Sequence, residues 1–297
     1  MNNDLPELLI KKIKTRELPE GGFPSKPEGL YRPDATAWAA LALNAAGDGK
    51  NTVKKACSRL AADQMEDGRV CLHRNHPHTF WPTALAVLAW HHSPAHHELQ
   101  RKGIEFLLAT TGEHWQKKKN SPVGHNSALK GWPWIEETHS WVEPTSLALM
   151  ALTLNGKGDH PRAMESECML LDRQLIDGGW NYGNTTVFLR HLRPMPESTG
   201  LVLNALVNRA ERKSVEKSIS YLKNEIGRLT TPLSFGWSCL GLGAWGERPQ
   251  IVKNSLLAGL KRREAVREYG TEEISLLLIA LMARDGFLSF LGDYSGK

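Results

Sequence analysis

The ten-residue stretch EPTSLALMAL, residues 143–152, holds an acid and a proline and then an almost wholly apolar run. After Thr145 the run consists of Ser, Leu, Ala and Met and ends before another β-branched residue, which favours a helix over a buried strand. A helix that is apolar on every side is buried on every side. We therefore predict an inner helix here, surrounded by other helices.

The same pattern occurs six times along the chain. The other five copies are DATAWAALAL (34–43), WPTALAVLAW (81–90), ESTGLVLNAL (197–206), GWSCLGLGAW (236–245) and EEISLLLIAL (272–281). The third position of the six blocks holds Thr36, Thr83, Thr145, Thr199, Ser238 and Ile274. Repeats at this scale indicate a repeated structural unit, so all six blocks are predicted to be inner helices.

Between the blocks lie six segments with one apolar stripe and one charged face, as is typical of outer helices. They cover approximately residues 6–17, 53–64, 96–110, 162–174, 215–229 and 251–265. Outer and inner helices thus alternate, and twelve such helices can close into a double ring. The sequence predicts an all-α fold, an (α/α)6 toroid of six outer and six inner helices, as a single domain over residues 1–297.

Composition and charge narrow the classes of partner. The chain is 41% hydrophobic and 23% charged with a net charge of +5, and it contains no apolar run of the ~20 residues that a membrane span needs. The N-terminal sequence does not resemble a signal peptide, so we expect a cytoplasmic protein. Basic residues are not interleaved with aromatics, so we expect no nucleic-acid partner. An anionic substrate or a peripheral membrane contact stays open.

The cysteines and histidines give a weak metal signal. The four cysteines lie far apart and form no C-x-x-C pair, which argues against a disulfide framework or a cysteine-rich zinc site. One short stretch, CLHRNHPH, brings together Cys71, His73, His76 and His78. Its spacing matches no zinc pattern, so we interpret it as a polar loop.

Acidic residues occupy the first position of four inner blocks. They are Asp34, Glu143, Glu197 and Glu272. If the inner helices are parallel, their starts gather at one end of the ring, which we call the mouth. The acids could be helix-start residues stabilised by the helix dipole, and Ser140-x-x-Glu143 could form a capping box. Alternatively, like charges crowded in an apolar mouth raise a pKa and create a neutral general acid.

Tryptophans could stabilise positive charge near these acids, since each aromatic face contributes about 0.5–2 kcal/mol to cation binding. Inner blocks contain Trp38, Trp81 and Trp237, for which plain packing is an equal alternative. We expect Trp132, Trp134 and Trp141 to form a wall over the mouth. His139 could hydrogen-bond Glu143 and orient its proton.

Several motifs resemble one known superfamily. QLIDGGW (174–180) is similar to the glutamine–tryptophan repeat of the squalene cyclase and prenyltransferase superfamily, and QMEDGRV (64–70) is a degraded copy. GWPW (131–134) followed by SWVEPT (140–145) is also similar to members of that superfamily. The resemblance covers the whole chain as six helical pairs. It implies an α/α toroid whose cavity or mouth holds an isoprenoid.

The resemblance also implies a proton donor. Class II terpene cyclases protonate an alkene or an epoxide with the middle aspartate of a D-x-D-D-T-A motif at the start of an inner helix. With Thr145 on the threonine of that motif, Trp141 and Pro144 replace the outer aspartates and Glu143 replaces the middle one. Glu143 alone keeps a carboxyl, so it is implied to be the general acid. Asp34, Glu197 and Glu272 would tune its pKa or relay protons.

Other branches of the superfamily match less well. Protein prenyltransferases bind zinc through an Asp-Gly-Cys motif, whose nearest counterpart here is Asp177-Gly178-Gly179 without the cysteine. The zinc ligands of lanthionine-forming cyclases and a D-D-x-x-D magnesium motif are absent from the sequence as well, so we expect no cofactor. Full-length class II cyclases place their site between two helical domains. This chain has one ring, so a second copy or a partner protein could cover its cavity.

Three hypotheses follow for the function. The first is a terpene-cyclase-like enzyme for an isoprenoid or similar apolar substrate, with Glu143 as acid and tryptophans around the pocket. The second is a binding or scaffold protein that keeps the fold without the chemistry. The third is a site for a hard cation at the mouth, held by the four block-initial carboxylates.

Overall fold

The computed structural model describes residues 5–116, 121–250, 256–257, 260 and 268–292. The helices are α1 (Leu5–Lys14), α2 (Pro33–Ala45), α3 (Lys50–Asp63), α4 (Pro82–Ala89), α5 (His97–Ala109), α6 (Val142–Leu154), α7 (Pro161–Asp172), α8 (Pro196–Leu206), α9 (Arg212–Glu225), α10 (Pro232–Ala244), α11 (Thr271–Met282) and α12 (Phe287–Leu291). Single turns of 3-10 helix occupy Pro94–His96 and Ile226–Arg228, and one hairpin pairs β1 (Thr186–Val187) with β2 (Arg190–His191). The chain is therefore mostly helical, as predicted.

The six apolar blocks are the helices α2, α4, α6, α8, α10 and α11. In each of them most residues are buried, as an inner position requires. Four of the six begin at a proline, where the missing N–H costs no intrahelical hydrogen bond, and α6 has Pro144 at its third position. The fifth helix, α10, begins at Pro232, four residues before the predicted Gly236, because the largely apolar residues 232–235 extend the apolar run by one turn.

The inner helices contact one another in a cycle. Helix α2 packs on α4, α4 on α6, α6 on α8, α8 on α10, α10 on α11 and α11 again on α2. The tightest approach joins α8 and α10, where a Cβ on Gly200 would collide with the backbone carbonyl of Trp237. The small residues of the blocks thus allow backbones to touch.

Helices α1, α3, α5, α7 and α9 are amphipathic and each contacts an inner helix. In α9, for example, Val215, Ile219 and Leu222 are buried while the charged residues face outward. The sixth predicted outer helix, 251–265, lies mostly outside the described residues, so the complete toroid of six outer and six inner helices stays a prediction. None of the described helices is long and apolar enough to cross a membrane.

The repeated threonine has a structural role in four blocks. Its side-chain oxygen accepts a hydrogen bond of 2.8–2.9 Å from a backbone N–H in the turn that follows the preceding outer helix. The four bonds join Thr36 to Phe23, Thr83 to Val70, Thr145 to Trp132 and Thr199 to Trp180. Each bond fixes a buried turn to the start of an inner helix.

The short helix α12 closes the interior from the other end. It packs against α6, α8 and α10, and the backbone N–H of Phe287 donates to Asn204 Oδ1 at 2.9 Å. The fully buried Phe287 ring lies 5.8 Å from Trp38 and 5.7 Å from Trp237, and those two rings are 5.7 Å apart. Three aromatic rings therefore fill the space between α2 and α10.

Candidate functional site

The four block-initial carboxylates all lie in the first turn of an inner helix. Glu143 is not a capping residue, because α6 begins at Val142 and its N-cap is Trp141, but it lies in the first turn, where the helix dipole favours an acid. Ser140 does not form the expected capping box either. Its hydroxyl oxygen accepts from the Gly131 N–H at 3.0 Å and lies 3.1 Å from His114 Nε2.

Glu143 and Glu197 form the first carboxylate pair, on the neighbouring helices α6 and α8. Burial, and then the negative charge of Glu197, raise the pKa of Glu143 to about 7. Ser234 Oγ donates to Glu197 Oε2 at 2.8 Å, which ties Glu197 to α10. Within the described residues no hydrogen bond or ion pair reaches the half-buried Glu143 carboxyl. A carboxyl with this pKa is about half protonated at neutral pH.

Asp34 and Glu272 form the second carboxylate pair, on α2 and α11. Asp34 is 2% exposed, and Arg32 donates to both of its oxygens at 2.9 and 2.7 Å. Ser25 Oγ donates to Glu272 Oε2 at 3.0 Å. Burial raises the pKa of Glu272, the Asp34 charge raises it further, and Ser25 and Arg32 oppose the rise. The Asp34 carboxylate is thus held in a salt bridge with Arg32.

The four carboxylates fall into two pairs on opposite parts of the cycle, with α4 and α10 between them. That both pairs face one mouth stays a prediction. The cation hypothesis loses its basis, since the described residues bring no group of three or more His, Cys, Asp or Glu side chains close enough to hold a metal ion. In the Cys71–His78 loop, His78 Nδ1 instead pairs with Glu136 Oε2 at 2.6 Å.

The predicted tryptophan wall is split by the structure. Trp132 is 1% exposed, its Nε1–H donates to the Leu107 carbonyl at 3.0 Å, and the Arg162 guanidinium lies 4.4 Å from its ring centre. Trp180 is equally buried and donates to the Leu170 carbonyl at 2.7 Å. Trp132 therefore occupies the same packing position as the tryptophan of the QLIDGGW repeat and offers no accessible face to a ligand.

The remaining predicted aromatics fall into two groups. Trp81 and Trp134 are half-buried and form an edge-to-face pair with centroids 5.1 Å apart. Trp38 and Trp237 belong to the buried interior group with Phe287. Of these four, only Trp81 and Trp134 keep an accessible surface that a ligand could contact.

His139 and Trp141 lie in a cleft of about 250 Å³ that we call the histidine cleft. Its lining residues are Glu113, His114, Trp115, Val123, His125, Ser127, His139, Ser140, Trp141, Arg173 and Asn184. The His139 ring lies 4.3 Å from Trp141 and 6.5 Å from Trp115, and it makes no hydrogen bond to Glu143 within the described residues. The expected proton-orienting contact is therefore missing.

The electrostatics of the histidine cleft favour the neutral forms of His114 and His139. Burial, and then the positive charges of Lys130, Arg162 and Arg173, lower the pKa of His114 to about 4. Burial and Arg173 also lower the pKa of His139. The sequence signal for this cleft was the density of His and Trp between residues 111 and 141, and of the lining residues only His139 and Trp141 were predicted.

Comparisons with known proteins support the fold. No family model and no curated protein matches the chain. Among solved structures, an α-amylase from Clostridium perfringens is 10% identical with a TM-score of 0.60, and the match covers 95% of this chain and 98% of the other. The ent-copalyl diphosphate synthase from Streptomyces platensis is 17% identical with a TM-score of 0.52, over 88% of this chain and 50% of the other.

A third similar structure is the type II terpene cyclase MstE from Scytonema in complex with geranylgeranyl dihydroxybenzoate. It is 15% identical with a TM-score of 0.51, and the match covers 93% of this chain and 82% of that one. The chain spans half the length of the copalyl diphosphate synthase. At these identities the likeness concerns the fold alone, and proteins of different function share it. The chain has a terpenoid-cyclase-like helical fold.

Proposed function

We propose that this protein is an acid catalyst of the class II terpene cyclase type and that Glu143 donates the proton. The observation that carries the proposal is the pKa of Glu143, which burial and Glu197 raise to about 7. About half of such carboxyls hold a proton at pH 7, whereas an ordinary glutamate is almost fully ionised there. A neutral carboxylic acid with some accessible surface can act as a general acid.

The raised pKa also bears on the substrate. An acid with a pKa near 7 is weak, so its best acceptor is a group more basic than an unactivated alkene. The oxygen of an epoxide on an apolar isoprenoid chain meets this condition, and its opening would create the carbocation that drives cyclisation. The half-buried Trp81, Trp134 and Trp141 would line the path of the apolar chain and stabilise the cation.

The architecture that we propose for this activity is the complete six-plus-six toroid, as one domain, with the sixth outer helix supplied by residues 251–265. The closed cycle of inner helices supports it. We propose a small isoprenoid-like compound as the ligand and no bound cofactor. A second copy or another protein would cover the mouth where full-length cyclases have a further domain.

The experiment is an incubation of the purified protein with matched pairs of isoprenoids, each as the alkene and as its terminal epoxide, with products identified by mass spectrometry. We expect cyclised product from the epoxide, lost in Glu143→Gln and kept in Glu66→Gln, a matched change at an exposed glutamate. Full turnover by Glu143→Gln would contradict the assignment of the acid.

A second candidate function is ligand-free scaffolding, which one observation favours. Trp38, Trp237 and Phe287 fill the interior between α2 and α10, where a cyclase would need room for its product. Under this alternative the protein neither binds nor converts an isoprenoid. In an affinity purification from the host, Glu143→Gln and the parent protein should then bring down the same partner protein. Binding of an isoprenoid at the mouth would exclude it.

A further inference from the structure

The hairpin of β1 and β2 has an unusual turn. The register pairs Val187 with Arg190, so Phe188 and Leu189 form a two-residue loop. Both have positive φ, at 47° and 63°, which is the pattern of a type I′ turn. Asn and Gly are favoured at these positions because bulky residues are strained there. Strain of this kind persists where the surrounding structure imposes it, and it often marks a functional segment.

The two strained residues carry the most exposed large apolar side chains of this region. Phe188 is 79% exposed and Leu189 is 95% exposed. Burial cannot explain their apolar character, because neither contributes to the core. Two large apolar side chains at the tip of a protruding hairpin are a surface that water disfavours and that an apolar medium would accept.

The hairpin is held firmly by a neighbouring segment. The backbone N–H of Phe188 donates to the Pro122 carbonyl at 2.9 Å, and that of Gly124 donates to the Thr186 carbonyl at 2.9 Å. Val123 and Asn184, which flank these contacts, also line the histidine cleft. The tip is thus a fixed projection beside the cleft.

Two arginines follow the apolar tip in the chain. Arg190 and Arg193 are both exposed, and no acidic side chain among the described residues lies within salt-bridge distance of either guanidinium. An apolar tip beside arginines that form no salt bridge is complementary to a lipid surface, where anionic headgroups cover an apolar layer.

We propose that Phe188 and Leu189 insert into the interfacial region of an anionic lipid bilayer, with Arg190 and Arg193 at the level of the lipid phosphates. Two side chains on a convex tip offer far less than the ~1,000 Å² that a specific protein interface needs, which favours the bilayer over a protein partner. The proposal does not rest on the acid chemistry of Glu143, and its test requires no turnover.

The test is co-sedimentation with vesicles of phosphatidylcholine alone and of phosphatidylcholine mixed with phosphatidylglycerol. We expect binding to the mixed vesicles and weaker, salt-insensitive binding to the neutral ones. The double variant F188N/L189G should lose about 100-fold or more in affinity, since two apolar side chains no longer leave water. Arg190→Gln should weaken binding to mixed vesicles about fivefold. Met164→Asn, at a half-exposed methionine on α7, should bind like the parent.

The double variant also separates loss of binding from loss of folding. Asn-Gly is the favoured type I′ sequence, so its melting temperature should equal or exceed that of the parent. Undiminished vesicle binding by F188N/L189G would overturn the proposal, as would failure of the parent to bind mixed vesicles. If the parent instead binds no vesicles but forms a dimer that F188N/L189G disrupts, the tip contacts a second copy of the chain.

Discussion

Replacing Glu143 with glutamine should stabilise the protein, and the gain should depend on pH. The folded protein raises the pKa of Glu143 from its ordinary 4.5 to about 7. Between these values the folded state binds more protons at this carboxyl than the unfolded state does, so stability falls as the pH rises. The shift of 2.5 pKa units at about 1.4 kcal/mol per unit corresponds to about 3 kcal/mol lost above pH 7.

Glutamine has nearly the same shape and never ionises, so Glu143→Gln escapes this loss. In urea unfolding monitored by circular dichroism, the variant and the parent should be about equally stable near pH 4.5. The variant should then gain progressively and be more stable by about 3 kcal/mol at pH 8. Glu66→Gln, at an exposed glutamate, should show no such trend. A stability difference that stays flat from pH 4.5 to 8, or a parent more stable at pH 8, would refute the reasoning.

Three further predictions address the surroundings of the site. Glu197→Gln removes the charge that helps to raise the pKa of Glu143. When the urea series is repeated with Glu197→Gln present in both proteins, the stability gain from Glu143→Gln should therefore begin at a lower pH. Phe287→Ala should cost about 3–5 kcal/mol in urea unfolding, because it empties the centre of a buried aromatic group. Arg32→Gln leaves the 2% exposed Asp34 without its cation and should cost about 2 kcal/mol at pH 7. Equal stability of Arg32→Gln and the parent in urea unfolding at pH 7 would contradict this explanation.

The helical fold was predictable because burial leaves a direct mark on the sequence. A helix surrounded by others is apolar on every side, as residues 143–152 are, and an outer helix keeps one charged face, as α9 does. The repeated threonine could be located by alignment, but its bond to a turn, such as that of Thr145 to Trp132, could not. That bond depends on how two segments meet in space.

The site was predictable only in part, for the same reason. The sequence places an acid at the start of four inner helices, yet the order of helices around the cycle decides which acids meet. Glu143 meets Glu197 and Asp34 meets Glu272 because their helices are neighbours. Trp132 and Trp141 lie nine residues apart in similar contexts, but one is buried against Arg162 and the other lines the histidine cleft.

Helix α12 and the hairpin tip carry no usable sequence signal. The α12 segment FLSFL is five residues long, too short for a helical period, and its position depends on the hydrogen bond from Phe287 to Asn204. The hairpin turn contradicts local preference, since Phe188 and Leu189 stand where Asn and Gly are expected. A sequence pattern predicts the typical residues of a turn, so it does not locate a turn formed by atypical residues.

The protonation state of Glu143 is the central claim, and a direct titration tests it. Carbon NMR of protein with labelled glutamate side-chain carboxyls would follow each resonance from pH 4 to 9, and Glu143→Gln would assign the resonance by its disappearance. We predict that this carboxyl titrates near pH 7, well above its ordinary value of 4.5. A midpoint near 4.5 would contradict the assignment of Glu143 as the proton donor.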